Sequence, residues 1–114
     1  EIIEIPAGNM DQASETPEET AQRELAEEIG FKAKKMTKIF EGYSLPGYCT
    51  EYMYYFLAEE LYEEKLPQDK DEQIEPVTIS FENIFKMIDN GEILDTKTAL
   101  GVSLAAQHLN IKRN

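Results

Sequence analysis

The amino-acid sequence predicts an α/β (α+β) domain, because segments with helix boundaries are interleaved with short apolar segments typical of strands. The chain has 114 residues, of which 41% are hydrophobic, enough for one domain with a core. No apolar run approaches the roughly 20 residues that span a bilayer. We therefore expect a single soluble domain over residues 1–114, with no internal repeat and no dividing linker.

The charge balance is strongly acidic, with 11 Lys and Arg against 23 Asp and Glu and a formal net charge of −12. Such a charge argues against partners that require a broad basic surface, namely nucleic acids and anionic membranes. Cys49 is the only cysteine, which excludes an internal disulfide and a Cys-rich zinc site. A cytoplasmic location is expected, since a lone thiol fits a reducing compartment.

The first predicted elements are a strand and a helix. Residues 1–5 have strand composition but begin in mid-strand without an initiator Met, so we expect further residues upstream. The first helix begins at Thr16, where Glu19 completes a capping box, and ends at Gly30. Its buried stripe is expected at four-residue spacing: Ala21, Leu25 and Ile29.

The middle of the chain predicts strands separated by loops. Residues 32–38 contain four lysines and predict the edge of a strand, and residues 39–43 lead into a turn-rich loop at 44–47. Residues 51–58 are aromatic and predict a strand buried on both faces. Residues 59–70 are acidic and predict a loop, whereas residues 74–80 predict a strand with an edge position or a bulge at its proline.

Two further helices are predicted in the last third of the chain. Ser80 caps a helix over residues 81–90, which Gly91 ends, and Asp95 begins a third helix. The inward residues are expected to be Ile84, Phe85 and Ile88 in the second helix, and Leu100, Leu104 and Ala105 in the third.

The first helix carries a concentration of charge. Glu24 and Glu28 lie one turn apart on the same face, and Glu27 lies on the flank one turn after Arg23. Like charges at this spacing destabilise a bare helix by a few tenths of a kcal/mol, roughly. Two interpretations remain open: a solvated acidic face, or a site for a hard divalent cation such as Mg²⁺ that also recruits a phosphate ligand.

The spacing around this helix resembles the Nudix box, G-x5-E-x7-R-E-U-x-E-E-x-G-U, where U is an apolar residue. The match covers 24 residues, with one extra residue in the loop between the first Gly and the first Glu. It implies a Nudix-type α/β/α sandwich with a mixed sheet. The residues that carry the resemblance are Gly8, Glu15, Arg23, Glu24, Leu25, Glu27, Glu28, Gly30 and Phe31.

Three weaker features resemble the ADP-ribose pyrophosphatase branch of that family: the segments 5–8 and 95–98, and Pro46, sixteen residues after Gly30. This resemblance implies hydrolysis of a nucleoside diphosphate-sugar, such as ADP-ribose to AMP and ribose 5-phosphate, with Mg²⁺ or Mn²⁺. It also implies a homodimer built by strands upstream of residue 1. The alternatives are another nucleotide substrate, a nucleotide-binding sensor that does not cleave its ligand, and a plain acidic scaffold.

The resemblance implies a role for each matching position. Glu24 and Glu28 are the principal metal ligands, with Glu27 as a third and the carbonyl of Ala7 as a backbone ligand. Arg23 belongs to the catalytic set, and a brace to the first Glu of the box or to Glu27 is favoured over contact with substrate.

The general base and the substrate contacts are placed by position alone. The resemblance implies a Glu base on a loop well after the box. Glu72, in the acidic segment 68–73 just before the strand predicted at 74–80, is the expected base, with Asp71 and Glu75 as rivals. Either of two tyrosines, Tyr43 or Tyr48, is a candidate to stack on adenine, although core packing is the commoner role of such residues. His108 and Cys49 are expected to be bystanders. Substrate contacts are expected from Gly8, Pro46, Gly47 and Glu51.

Overall fold

The computed structural model describes residues 4–6, 14–45, 47, 51–67 and 74–112. Within them it has three helices and two strands: α1 (Pro17–Ile29), β1 (Phe31–Tyr43), β2 (Tyr52–Glu63), α2 (Phe81–Asp89) and α3 (Thr96–His108). The chain divides into two compact units, Pro6–Pro76 and Glu1–Ile5 with Val77–Asn114. The predicted mixture of helices and strands is confirmed. None of the helices in these ranges is long and apolar enough to cross a membrane.

Local signals fix both ends of α1. The side chain of Thr16 accepts a hydrogen bond from the Glu19 amide at 3.1 Å, and the Glu19 carboxylate accepts one from the Thr16 amide at 2.8 Å. Gly30 adopts φ 78°, the left-handed conformation that favours glycine at a helix end. The predicted capping box and helix end are thus confirmed.

The buried face of α1 differs slightly from the prediction. Leu25 and Ala26 are buried, whereas Ala21 and Ile29 are only half-buried. The expected stripe is therefore wrong in part, because the buried face of α1 is turned toward Ala26.

Strands β1 and β2 form an antiparallel ribbon, the only sheet within the described residues. Phe31 pairs with Glu63 at one end and Tyr43 with Tyr52 at the other, with a bulge between Lys38 and Phe40. The prediction that β2 stops at residue 58 was wrong. The strand continues because residues 59 and 61–63 pair with β1, and the side chains at 61–63 remain exposed to water.

The aromatic strand β2 is buried on one side only. Tyr55 is 8% exposed, whereas Tyr52 and Tyr54 on the alternate positions are 41% and 37% exposed. The prediction of burial on both faces was therefore wrong in this part of the chain. Edge-to-face contacts join Tyr52 to both Tyr43 and Tyr54, so the exposed rings pack against one another.

Residues 74–80 form no strand, contrary to the prediction. Pro76 has no amide proton to donate to a neighbouring strand, and β1 and β2 pair with each other rather than with this segment.

The second unit packs α2 on α3 around a small apolar core. Ser80 and Asp95 cap the two helices as predicted, accepting hydrogen bonds from the third helical residue in each case. The expected inward position of Leu100 was wrong: it lies about 200° around the helix from buried Thr98 and is 40% exposed. The core consists of Ile84, Phe85, Ile93 and Ala106.

The segment that precedes the first unit joins this second unit. Residues 4–6 have no regular secondary structure, and the rest of the predicted first strand lies outside the described residues. The Ile5 amide donates to the hydroxyl of Thr98 at 3.0 Å, which links positions 93 residues apart in sequence.

Candidate metal and substrate site

Helix α1 has an apolar buried side and an acidic side. Leu25 and Ala26 lie on the buried side, and α1 contacts β1. At about 100° per residue, Glu24 and Glu28 fall on the other side of the helix. The helix therefore presents carboxylates on the side away from the strand that supports it.

Arg23 holds Glu15 through two parallel hydrogen bonds. Its Nε donates to Oε2 of Glu15 at 2.9 Å and its Nη2 donates to Oε1 at 3.1 Å. The hydroxyl of Thr20, a buried residue, donates to the same Oε1 at 3.1 Å. The hydrogen bond from Arg23 is the main cause that lowers the pKa of Glu15, and the same bond is the main cause that raises the pKa of Arg23.

The third nitrogen of the same guanidinium, Nη1, donates hydrogen bonds to carboxylates on the helix. The Nη1 group of Arg23 donates to Glu24 at 3.2 Å and to both carboxylate oxygens of Glu27, at 3.1 and 3.2 Å. Glu15 and Glu27 were predicted as alternative partners of Arg23; the structure shows both, and Glu24 is a third partner. A planar group with five donors can satisfy all three, which offsets the repulsion among adjacent carboxylates.

The chemistry of this face fits a hard divalent cation. Glu24, Glu27 and Glu28 offer carboxylate oxygens on successive turns, and Mg²⁺ prefers such oxygens while keeping several waters. In the part of the chain that the structure describes, Glu24, Glu27 and Glu28 do not form a complete three-ligand metal group among themselves, and no other three His, Cys, Asp or Glu side chains do so. The other ligands would be water, substrate oxygens or the predicted Ala7 carbonyl, and Ala7 lies outside the described residues.

Gln22 clamps α1 to β1 and was missed in the sequence. Its Nε2 donates to the carbonyl oxygen of Ala33 at 2.7 Å, and its Oε1 accepts from the Ala33 amide at 3.0 Å. A signal was present, because Gln22 lies three and four residues before Leu25 and Ala26 and so shares their face. A polar residue on an apolar stripe needs a partner.

The predicted substrate contacts lie partly within the described residues. Glu51 accepts a hydrogen bond from the Ser44 hydroxyl at 2.8 Å, and its carbonyl oxygen accepts one from the Ser44 amide at 3.2 Å. These bonds close the loop between β1 and β2. Gly47 is exposed with φ 87°, whereas Gly8 and Pro46 lie outside the described residues.

The two aromatic candidates differ in what the structure shows. Tyr43 is 60% exposed, and its ring centroid lies 4.9 Å from that of Tyr52 in an edge-to-face contact. Tyr48 lies outside the described residues. Within those residues, Tyr43 is thus an exposed ring rather than part of a core.

Of the predicted general base and its two rivals, Glu75 alone belongs to the described residues. Glu72 and its rival Asp71 lie outside the described residues, and the other rival, Glu75, is an exposed residue in the irregular segment before α2. His108 is exposed in the last turn of α3, and Cys49 also lies outside the described residues. Among the predicted catalytic and metal residues, the structure brings together those on α1.

Comparisons with known proteins agree with the motif. Residues 2–97 match the NUDIX domain family. The chain is 44% identical over 113 residues to the ADP-ribose pyrophosphatase of Bacillus subtilis (strain 168), covering 97% of this chain and 58% of that protein. It is 36% identical over 110 residues to the GDP-mannose pyrophosphatase of Yersinia pestis (strain Pestoides F), covering 94% and 54%. The chain thus spans a little more than half the length of these relatives.

A solved structure shares the fold. The crystal structure of an ADP compounds hydrolase superposes with a TM-score of 0.79 at 25% sequence identity. The superposition covers 87% of this chain and 54% of the other.

Proposed function

This chain belongs to the NUDIX domain family, and we propose that it hydrolyses the pyrophosphate bond of a nucleoside diphosphate-sugar with a divalent metal ion. Water is added across one P–O–P linkage, so ADP-ribose yields AMP and ribose 5-phosphate. The observation that carries this proposal is the carboxylate face of α1, held by Arg23 at the spacing of the Nudix box.

ADP-ribose is our first choice of substrate. The Bacillus relative named for that activity shares 44% identity over almost the whole chain, and the superposed structure is named for ADP compounds. GDP-mannose is the second candidate, because the Yersinia relative named for its hydrolysis shares 36% identity. The two substrates have the same diphosphate and differ in base and sugar, so both suit one metal face.

The residues of α1 have distinct roles in this proposal. Glu24 and Glu28 hold the metal ion, with Glu27 beside them and the Ala7 carbonyl as a backbone ligand. The bound metal ion, Mg²⁺ or Mn²⁺, supplies neutralisation of the developing phosphate charge and lowers the pKa of water. Arg23 belongs to the catalytic set as the group that fixes the carboxylates. Arg23 limits the rotamers of these carboxylates, so their side chains lose less conformational entropy when the metal ion and substrate bind.

Glu72 accepts the proton of the attacking water in this proposal, since it belongs to the acidic sequence segment 68–73, where the resemblance places the base. The loop from Ser44 to Glu51, with Pro46 and Gly47, contacts substrate together with Gly8. We further propose that residues 1–114 act as one NUDIX domain, because the family match over residues 2–97 includes residues of both units. We also propose that the protein is a cytoplasmic homodimer.

A substrate panel tests the proposal. The chain is incubated with ADP-ribose, GDP-mannose and related sugar nucleotides in Mg²⁺, Mn²⁺ or a chelator, and the products are identified by mass spectrometry. We expect AMP and ribose 5-phosphate from ADP-ribose, only with metal. Tight metal-dependent binding of ADP-ribose without cleavage would instead indicate a sensor. Faster turnover of GDP-mannose than of ADP-ribose would make GDP-mannose the preferred substrate.

A further inference from the structure

We propose that Gln22 is a positioning residue that sets the rotation of the metal-binding face of α1, an inference that rests on the proposed function. Gln22 does not belong to the charged positions of the motif. Its place in the structure is the contact between α1 and β1, next to Arg23 in sequence.

The two hydrogen bonds of Gln22 make a directional contact. The amide group both donates to and accepts from the backbone of one residue, Ala33, at 2.7 and 3.0 Å. Ala33 is 4% exposed, so its amide and carbonyl have little access to water. Buried backbone groups need partners, and a side-chain amide that satisfies both fixes its own position relative to the strand.

The apolar contacts of α1 cannot set its rotation as closely. Burial of Leu25 and Ala26 is favourable for a range of small rotations, because hydrophobic contact is non-directional. Hydrogen bonds weaken steeply when their angles depart from linearity. The clamp at Gln22 is therefore the feature of this interface that selects one rotation of the helix.

The rotation of α1 decides where its carboxylates lie. Measured around the helix from Gln22, Glu24 and Glu28 lie at about 200° and 240°. A clamp to β1 at Gln22 thus directs these two side chains to the opposite side of the helix. Arg23 directly follows the clamp, so its contact with Glu15 starts from a fixed backbone position.

Metal binding by the full chain tests this role. Mn²⁺ affinity is measured by electron paramagnetic resonance for the wild type and for Gln22→Met, which keeps the length of the side chain and removes both hydrogen bonds. We expect Mn²⁺ to bind about tenfold more weakly to Gln22→Met, as is typical when a group that orients metal ligands is lost. Gln107→Met, the same change at an exposed position of α3, should leave the affinity unchanged.

A second variant covers the case in which Gln22→Met does not fold. Gln22→Glu keeps the acceptor for the Ala33 amide but places a carboxylate oxygen against the Ala33 carbonyl oxygen, which Nε2 of Gln22 contacts at 2.7 Å, so Mn²⁺ binding weaker than in the wild type is again expected. With substrate, both variants should lower kcat more than they raise KM.

The results that overturn each claim are different. Wild-type Mn²⁺ affinity in a folded Gln22→Met or Gln22→Glu, with only thermal stability reduced, would show that the clamp is merely structural. Absence of Mn²⁺ binding by the wild type would instead overturn the proposed function itself.

Discussion

Arg23 contacts both carboxylate oxygens of Glu15, eight residues earlier in the chain, at 2.9 and 3.1 Å. The pair joins the residue before the N-cap of α1 to the helix that carries the acidic face. Thr20, in the first turn of α1, also donates a hydrogen bond to Glu15. The carboxylate of Glu15 therefore holds the start of α1 at two positions, Thr20 and Arg23.

The charge state of Glu15 makes stability depend on pH. Its folded pKa is lowered, first by the hydrogen bond from Arg23, below the usual glutamate value of about 4.3. The stabilising contribution is therefore fully present above that usual value and is lost as pH falls through the lower, folded pKa. We expect Glu15→Gln to be less stable than the wild type at about pH 6, with the difference disappearing toward about pH 3.

Urea denaturation at several pH values measures this difference. Glu18→Gln, an exposed change on the same helix, should show little difference from the wild type at any pH. A Glu15→Gln deficit that persists undiminished in acid would contradict the role of the ionised pair.

Thr98 should matter to stability through its hydroxyl. The side chain is 1% exposed, donates to Asp95 at 2.6 Å and accepts from the Ile5 amide at 3.0 Å. Thr98→Val keeps the shape and leaves the Ile5 amide without this partner, which costs about 1–3 kcal/mol of unfolding free energy.

Hydrogen exchange at Ile5 separates this effect from a loss of packing. The Ile5 amide should exchange faster in Thr98→Val and stay protected in Thr98→Ser, which retains the hydroxyl and loses only a methyl group. Equal protection in the wild type and Thr98→Val would show that the hydrogen bond contributes nothing.

Glu60 has an unusual backbone conformation for a strand. Its φ is 56°, in the left-handed region that costs a residue with a Cβ about 1–2 kcal/mol. Glu60→Gly removes that strain but adds entropy to the unfolded chain, so a net gain of about 0.5 kcal/mol is expected. Glu60→Val should lose at least about 1 kcal/mol, because a β-branched side chain is least tolerated there.

Glu59→Gly provides the matched comparison for this prediction. Glu59 lies in the same strand without a positive φ, so glycine there should destabilise by about 0.5–1 kcal/mol. Thermal denaturation of the three variants measures these changes in stability. An equal loss of stability in Glu59→Gly and Glu60→Gly would exclude strain at Glu60.

The helix boundaries were predictable because their signals are local. The capping box at Thr16 and the glycine at position 30 determine where α1 begins and ends without help from distant residues. The extent of β2 was not predictable in this way. Its acidic second half has weak strand propensity and is held by pairing with β1, a contact that composition does not reveal.

In the candidate site too, the features set by local sequence were predictable, and those set by contacts between elements were not. Spacing on one helix was enough to place Glu24 and Glu28 on a common face, and the resemblance to the Nudix box added the pairing of Arg23 with Glu15 or Glu27. The clamp between Gln22 and Ala33 joins residues on different elements, so the sequence offered only a polar residue at an apolar position. Tertiary hydrogen bonds of this kind require the relative placement of helix and strand.

The most direct test of the central claim is the Mg²⁺-dependent rate of AMP release from ADP-ribose by Glu24→Gln and Glu28→Gln. A metal ion that stabilises transition-state charge contributes several kcal/mol, so kcat/KM should fall at least about a hundredfold in each variant. Glu18→Gln should retain wild-type turnover. Wild-type rates in both Glu24→Gln and Glu28→Gln would contradict the assignment of this helix face to metal binding.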